Sequence, residues 1–211
     1  MPQKSLSEAF TSELRDTYDA ERQLTRALPK MARAATDPEL KEAFTNHLRE
    51  TEGQIERLEQ VFGLIEERPR GKRCEGIAGI IEEGAAMMEE DFDESAMDAT
   101  LIGAGQRAEH YEMAAYGTLV AWAEELGYTE AAGLLQQTLE EEKAADEKLS
   151  VIAQDRVNRD AASGNDEGEE DEESAGEEEG QTTKSPARRG RGSKGGARGA
   201  SRAGTKRSKR R

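Results

Sequence analysis

Hydrophobic residues near the start of the chain recur every three or four positions, which is the period of an amphipathic helix. The first stripe consists of Phe10, Leu14, Thr17, Leu24, Leu28 and Met31. Ser5 and Glu8 have the spacing of a capping box and predict where this helix begins. Pro29 should kink the helix without ending it, because Met31 and Ala35 continue the stripe.

A short break separates the first helix from a second one. Asp37 is a suitable N-cap, and Pro38 fits the first position of a helix. The second stripe consists of Leu40, Phe44, His47, Gln54, Leu58, Val61 and Ile65. Because the intervening turn is tight, we expect the two helices to be antiparallel neighbours.

The pattern changes over residues 68–93, where proline and glycine residues interrupt it. One short amphipathic helix is indicated there, by Ile77, Ile80, Ile81 and Met87. A third long helix should start near Ser95 and end at Gly127. Thr129 is a suitable cap for a fourth helix, which should fade near Asn158.

Two antiparallel hairpins joined by a long crossover form the ferritin-like arrangement, because the crossover lets the second and third helices run parallel. We therefore predict an all-α fold, in which residues 1–160 form a ferritin-like four-helix bundle with a short helix in the crossover. A plain up-and-down bundle is the less favoured alternative.

The last part of the chain has a different composition. Apolar residues nearly vanish over residues 161–211, which we predict to be a disordered tail. Residues 160–181 contain eleven acids and no base, whereas residues 182–211 contain twelve bases and no acid. The basic block could bind nucleic acid without sequence preference, or the two blocks could simply attract each other. The acidic bundle itself should repel nucleic acid.

No apolar run approaches the roughly 20 residues that a membrane span needs, and the N-terminus lacks the apolar stretch of a signal peptide. We therefore expect a cytoplasmic protein without membrane contact. Cys74 is the single cysteine, so an intramolecular disulfide and a cysteine-rich metal site are excluded.

Acidic residues interrupt all four stripes near their middle, where leucine would otherwise be expected. These acids are Glu21, Glu50, Glu109, Glu112 and Glu142, with Asp146 one turn further on. Glu21 stands fifteen residues before the first turn, at Thr36, and Glu50 stands fourteen after it, so they lie at similar heights in an antiparallel pair. Glu112 and Glu142 are similarly level about the second turn.

Several carboxylates in a helical core cannot all remain ionised and unpaired, because burial and mutual repulsion are too costly. Bound cations would neutralise them, and carboxylates on facing helices are the ligands of di-iron and di-manganese sites. We predict a site for two ions, with iron as the expected metal and manganese as the second choice. Alternatively, some of the acids face outward, pair with Arg22, Arg49 or Arg107, or share protons.

Four blocks of the chain carry a recognisable pattern. They read ELRDTYDAERQL at 13–24, ALPKM at 27–31, HLRET and QIERLE within 47–59, and EHYEMAAYGT at 109–118. In these blocks the chain resembles the YciE/YciF family of stress-associated ferritin-like proteins. The resemblance implies a rubrerythrin-like bundle with a dinuclear metal site, a homodimer and a role in bacterial stress. It implies no settled catalytic activity.

The resemblance assigns Glu21 and the Glu109-x-x-Glu112 pair to the first-helix and third-helix ligands of rubrerythrin-like sites. The second helix departs from that type, because Glu50 is followed by Gly53 where a histidine is usual. The fourth helix also lacks the histidine. A site short of imidazole should be less selective for its metal, which puts oxygen-activating chemistry in doubt.

The role of the neighbouring polar and aromatic residues stays open at this point. His47 could be a ligand, a residue supporting a ligand or a buried polar residue, and we expect the last two roles for it. Gln54 is a second candidate for a supporting role. His110 should point to another face, while Tyr18, Tyr111 and Tyr116 could border the site or simply pack in the core.

The sequence thus predicts a metal-binding stress protein, in which any catalysis would be ferrous oxidation or peroxide reduction. The alternative is a metal-free structural or interaction protein whose basic tail binds nucleic acid.

Overall fold

The computed structural model describes residues 3–164, which form helices joined by short loops and one longer crossover. The helices are α1 (Leu6–Ala34), α2 (Pro38–Leu64), α3 (Glu75–Met87), α4 (Glu94–Glu125), α5 (Thr129–Ile152) and α6 (Asn158–Ser163). The described residues contain no strand, and this confirms the all-α prediction. Residues 165–211 of the predicted tail lie outside the described residues.

The predicted starts of the first two helices are confirmed. Ser5 caps α1, because its hydroxyl accepts a hydrogen bond from the Glu8 amide at 3.2 Å and its own amide donates to the Glu8 carboxylate at 2.8 Å. Asp37 caps α2, because its carboxylate accepts hydrogen bonds from the amides of Glu39 and Leu40, both at 2.9 Å. α1 continues through Pro29, as expected.

The turn between α4 and α5 was predicted only in part. Gly127 ends α4 with a φ of 73°, the left-handed conformation that glycine adopts at low cost. The prediction that Thr129 caps α5 was wrong, because Tyr128 occupies the cap position and makes no side-chain capping bond. The turn is instead closed by the backbone, where the Tyr128 amide donates to the Ala123 carbonyl at 2.8 Å.

Each long helix packs against two others, in the pairs α1 with α2, α4 with α5, α2 with α5, and α1 with α4. The Phe10 ring, near the start of α1, lies 5.7 Å from the Tyr128 ring just after α4, so α1 and α4 are antiparallel. The Thr36 amide, just before α2, donates to Asp98 near the start of α4 at 2.8 Å. α2 and α4 therefore begin at the same end and run parallel, which confirms the ferritin-like crossover. α3 lies within this crossover and packs against α1 and α4.

The core of the bundle consists of two hydrophobic clusters separated along the helix axes. One contains Leu24, Leu28, Phe44, Ile102 and Leu149, and the other contains Phe10, Leu14, Leu58, Leu119 and Leu135. Along every long helix, the polar interruption predicted from the sequence falls between a residue of one cluster and a residue of the other. The buried acids therefore form a layer across the middle of the bundle.

The end of the bundle differs slightly from the prediction. α5 does not fade at Asn158 but continues through a π-helical segment, Ala153–Val157, into α6. The wider π-helical turn buries Val157 and brings the Arg156 guanidinium against the Asp37 carboxylate. The helix thus extends three residues beyond the boundary predicted at residue 160. No helix within residues 3–164 has both the length and the apolar character needed to cross a bilayer.

Candidate metal centre

Four glutamates and one histidine meet in the polar layer of the bundle. Glu21 comes from α1, His47 from α2, Glu109 and Glu112 from α4, and Glu142 from α5. The four glutamates are at most 3% exposed and His47 is 6% exposed. Each residue lies on the inward stripe of its helix, so the same periodicity that builds the core also directs these polar groups into it.

The ligand atoms of four of these side chains lie close together, and Glu21 is outside this group. One nitrogen or oxygen each from His47, Glu109, Glu112 and Glu142 lie within 4.8 Å of one another. The His47 Nε2 atom is 3.3 Å from Glu109 Oε1 and 3.7 Å from Glu142 Oε2. A nitrogen and several carboxylate oxygens at this separation match the donor set of a divalent-metal site.

Two further side chains hold the glutamates in place. The Tyr116 hydroxyl donates a hydrogen bond to Glu21 Oε1. The Gln54 amide, itself fully buried, donates to Glu142 Oε1 at 2.5 Å. These bonds leave the opposite oxygen of each carboxylate directed elsewhere in the layer, where a cation could meet it.

One oxygen of every buried glutamate has no hydrogen-bond partner. These atoms are the Oε2 atoms of Glu21, Glu109, Glu112 and Glu142. No lysine or arginine of residues 3–164 pairs with these four acids. Buried carboxylate oxygens without partners are costly in a metal-free core, and they are suitable ligands for a hard or borderline cation. The residues present therefore fit a metal site.

The acid–base properties of the layer follow from its burial. Burial, reinforced by the charge of Glu142, raises the pKa of Glu21 to about 8. Burial also raises the pKa of Glu109 to about 8. The pKa values of Glu112 and Glu142 are raised well above the ordinary value by burial, with the neighbouring acids adding to the effect. Without a cation, the folded protein must hold protons in this layer.

Opposing effects act on the pKa of His47. Burial by itself lowers its pKa, but the hydrogen bond to Glu50 and the charges of Glu142 and Glu21 raise it more, so the net shift is upward. The upward shift of the pKa favours the protonated imidazole, whose positive charge lies against the acids of the layer. A metal ion bound at Nε2 would displace that proton.

Two of the predicted ligands lie at the margin of the layer. Glu50 is half exposed and its carboxylate lies 3.3 Å from His47 Nδ1. The inward stripe of α2 passes through His47, Thr51 and Gln54, so Glu50 falls at its edge. The structure thus reverses the two expected roles, because His47 faces the buried acids directly and Glu50 supports it from behind.

Asp146 is the other predicted ligand at the margin. Its side chain is 22% exposed and turns toward α4, where it accepts a hydrogen bond from Gln106 at 3.0 Å. His110 lies on the same outer side, 3.3 Å from Asp146 and 66% exposed, as its predicted orientation requires. Neither residue belongs to the group of ligand atoms around Glu109 and Glu142.

The tyrosines and one ion pair complete the surroundings of the layer. Tyr116 borders the site, where its hydroxyl donates to Glu21. The sequence signal for this position was that Tyr116 follows Glu112 by four residues, on the same face of the helix. Tyr18 and Tyr111 bond elsewhere, to Glu59 and Asp16. Beside the layer, the two terminal nitrogens of Arg57 donate to the two carboxylate oxygens of Glu141, at 2.8 and 2.9 Å. The sequence did not predict this ion pair, because the two residues are 84 positions apart on separate helices.

Comparisons with known proteins identify a family and relatives of this chain. A family described as a domain of unknown function, DUF892, matches residues 5–162. The chain is 48% identical to Protein YciF of Escherichia coli K12 over 162 residues, covering 76% of this chain and 98% of that protein. It is similar to the crystal structure of the E. coli stress protein YciF, with 47% identity, a TM-score of 0.72 and coverage of 74% of this chain and 99% of that one. It also resembles YcfI of Rhodopseudomonas palustris, with 45% identity, a TM-score of 0.69 and coverage of 70% and 94%.

Proposed function

This chain belongs to the DUF892 family and is 48% identical to YciF of E. coli, whose crystal structure is described as that of a stress protein. We propose that it is a stress-response protein that binds two metal ions in its buried carboxylate layer, with iron as the expected metal and manganese as the second choice. The family membership confirms the resemblance found in the sequence. The metal is our own inference, and the four unpartnered carboxylate oxygens carry it. A cytoplasmic location and a homodimeric state belong to the same proposal.

We base the count of two ions on how the acids are coupled. Side-chain interactions couple Glu21 to Glu112 and Glu109 to Glu142, although one oxygen of each carboxylate has no hydrogen-bond partner. One cation bound between the two acids of each pair would remove the repulsion within that pair. Two pairs therefore favour two ions, with His47 as the only nitrogen donor in the layer as the structure describes it.

Bound iron would supply redox chemistry, so ferrous oxidation and peroxide reduction are the activities to test on the loaded protein. The protein's own residues would bind and orient the ions and exclude bulk water. Tyr116 fixes the orientation of Glu21, and Gln54 fixes that of Glu142. Glu50 orients His47 through Nδ1, which leaves Nε2 free to face the layer.

Metal retention tests the proposal directly. Full-length protein is incubated anaerobically with ferrous iron, desalted and analysed for its metal content, and a parallel sample receives manganese. We expect about two ions per chain, the stoichiometry of carboxylate-bridged bundles. The variant Glu21→Gln/Glu142→Gln keeps the size of both side chains and their bonds to Tyr116 and Gln54, yet should lose most of the metal.

A matched control separates site binding from adsorption to an acidic surface. Glu52→Gln/Glu147→Gln removes the same charge from exposed positions of α2 and α5 and should retain the metal of the unaltered protein. Circular dichroism verifies that all three proteins are helical. Equal metal content in the two double variants, or none in the unaltered protein, would refute the metal site and favour a structural role.

A second function is favoured by the charge of the basic block 182–211, which carries twelve bases and no acid. We expect the full-length chain to bind double-stranded DNA of any sequence, and to bind it less tightly as salt rises, because counterions are released from the phosphates. A truncation after residue 164 ends with α6 and should not bind. Gel shifts at two salt concentrations measure this, and equal binding by both proteins would contradict it.

A further inference from the structure

A cavity of about 520 Å³ lies between α2 and α5 and extends from the surface to the carboxylate layer. His47 and Glu109 form its inner end. Its sides are largely apolar, formed by Ala43, Phe44, Ala145 and Leu149 among others. Exposed acids stand at its outer end, namely Glu39, Glu42 and Glu50.

We infer that this cavity is the route by which metal ions enter and leave the buried site. This inference rests on the proposed function. It adds to that function the path along which an ion approaches the site. Three properties of the cavity support it: its size, the charge at its mouth and the groups at its inner end.

The cavity is large enough for a hydrated ion. A divalent ion with six waters occupies on the order of 200 Å³, at about 30 Å³ per water. The alanines at positions 43, 144 and 145 keep the space between the two helices open, because larger side chains there would fill it. An ion can therefore reach His47 before it has to give up its water shell, which is the costly step of buried-site binding.

The mouth of the cavity attracts cations. Lys148 is the base in the lining of the cavity, and it pairs with Glu39. Close by, Arg57 pairs with Glu141, and Arg49 donates to the lining residue Asn46. Glu42 makes no ion pair among the residues that the structure describes, and Glu50 contacts only His47. The acids that line the cavity outnumber the single base in its lining, and this excess of negative charge concentrates counterions at an opening with low-dielectric walls.

The inner end offers a ligand to the arriving ion. Of the four buried glutamates, Glu109 is the one that lines the cavity, and its Oε2 atom has no hydrogen-bond partner although the side chain is 3% exposed. His47 stands between the mouth and the layer, with Nδ1 toward Glu50 and Nε2 toward Glu109. Glu21 and Glu112 lie deeper, so the position beside His47 and Glu109 should fill and exchange first.

Blocking the cavity tests the route. Ala145→Phe places a phenyl ring in the cavity and leaves all five buried ligand residues unsubstituted. Iron-loaded protein is mixed with an excess of a coloured ferrous chelator under nitrogen, and the absorbance gives the rate of metal release. We expect release to slow about tenfold, because the ion must then wait for the packed helices to separate. Ala121→Phe, at an exposed position of α4 outside the cavity, should release iron at the unaltered rate.

Changing the charge of the mouth gives a second, milder test. Glu42→Lys should slow the uptake of ferrous iron several-fold at low ionic strength, and the difference should shrink as salt screens the charge. Glu83→Lys makes the same charge change on exposed α3, away from the cavity, and should leave the uptake rate unchanged. Uptake is measured by quenching with the chelator at successive times.

The outcomes separate the route from the site. Two irons per chain at equilibrium with slower exchange in Ala145→Phe and Glu42→Lys would support the route. Two irons per chain with unchanged exchange in both variants would overturn the route and leave the proposed function intact. The absence of retained iron in the unaltered protein would overturn both.

Discussion

Replacing Asp98 with alanine should lower the midpoint of thermal unfolding by roughly 10 °C, since about 3 kcal/mol shifts a domain of this size by that amount. Asp98 is 3% exposed and accepts three hydrogen bonds from the break between α1 and α2. The donors are the Thr36 amide at 2.8 Å, the Thr36 hydroxyl at 2.6 Å and the Asp37 amide at 2.8 Å. Alanine removes the acceptor and leaves these donors unsatisfied, which typically costs about 1–3 kcal/mol for each buried group.

Two control variants distinguish this effect from a general loss of charge. Asp98→Asn keeps one acceptor oxygen and should lose less than Asp98→Ala. Glu124→Ala removes a charge from an exposed position of the same helix and should shift the midpoint by little. Differential scanning calorimetry measures all three variants, and an alanine variant as stable as the unaltered protein would show that Asp98 does not hold the break together.

The stability of the metal-free protein should fall as the pH rises from about 5 to 8. Glu21 and Glu109 have an ordinary pKa of 4.5 when unfolded and of about 8 when folded. Between these values the folded state holds protons that the unfolded state has lost, so each unit of pH costs up to about 1.4 kcal/mol per group. Because the acids interact, we expect a total loss on the order of 5 kcal/mol. Chemical denaturation of chelator-treated protein at several pH values measures it.

Bound metal should offset the loss of stability that the metal-free protein shows as the pH rises. A bound cation takes the place of the protons, so loading with ferrous iron should raise the unfolding midpoint by about 10 °C at pH 8 and by much less at pH 5. Glu112→Gln should flatten the pH dependence of the metal-free protein and reduce the shift on loading. Glu124→Gln, exposed on the same helix, should behave like the unaltered protein. Stability that rises with pH without metal would contradict the buried, protonated layer.

Much of the fold was determined by the sequence by itself. The capping box at Ser5, the Asp37-Pro38 start and the glycine at position 127 are local signals, and they were enough to place the starts of α1 and α2 and the end of α4. The crossover followed from the length of the irregular segment between two hairpins. The inward position of Glu21, Glu109, Glu112 and Glu142 followed from their places in the stripes, which every core residue of the same helix reinforces.

The tertiary structure decided what the stripes left open. A helix rises about 1.5 Å per residue, so the sequence fixes the height of a side chain along the bundle. It does not fix how far a residue at the edge of a stripe turns inward, because that depends on the neighbours which other helices supply. Asp146 of α5 stands at such an edge and is held there by Gln106 of α4, whereas Glu50 stands at an edge beside His47 of its own helix. For the same reason, only the packing of α2 against α5 creates the cavity that reaches Glu109.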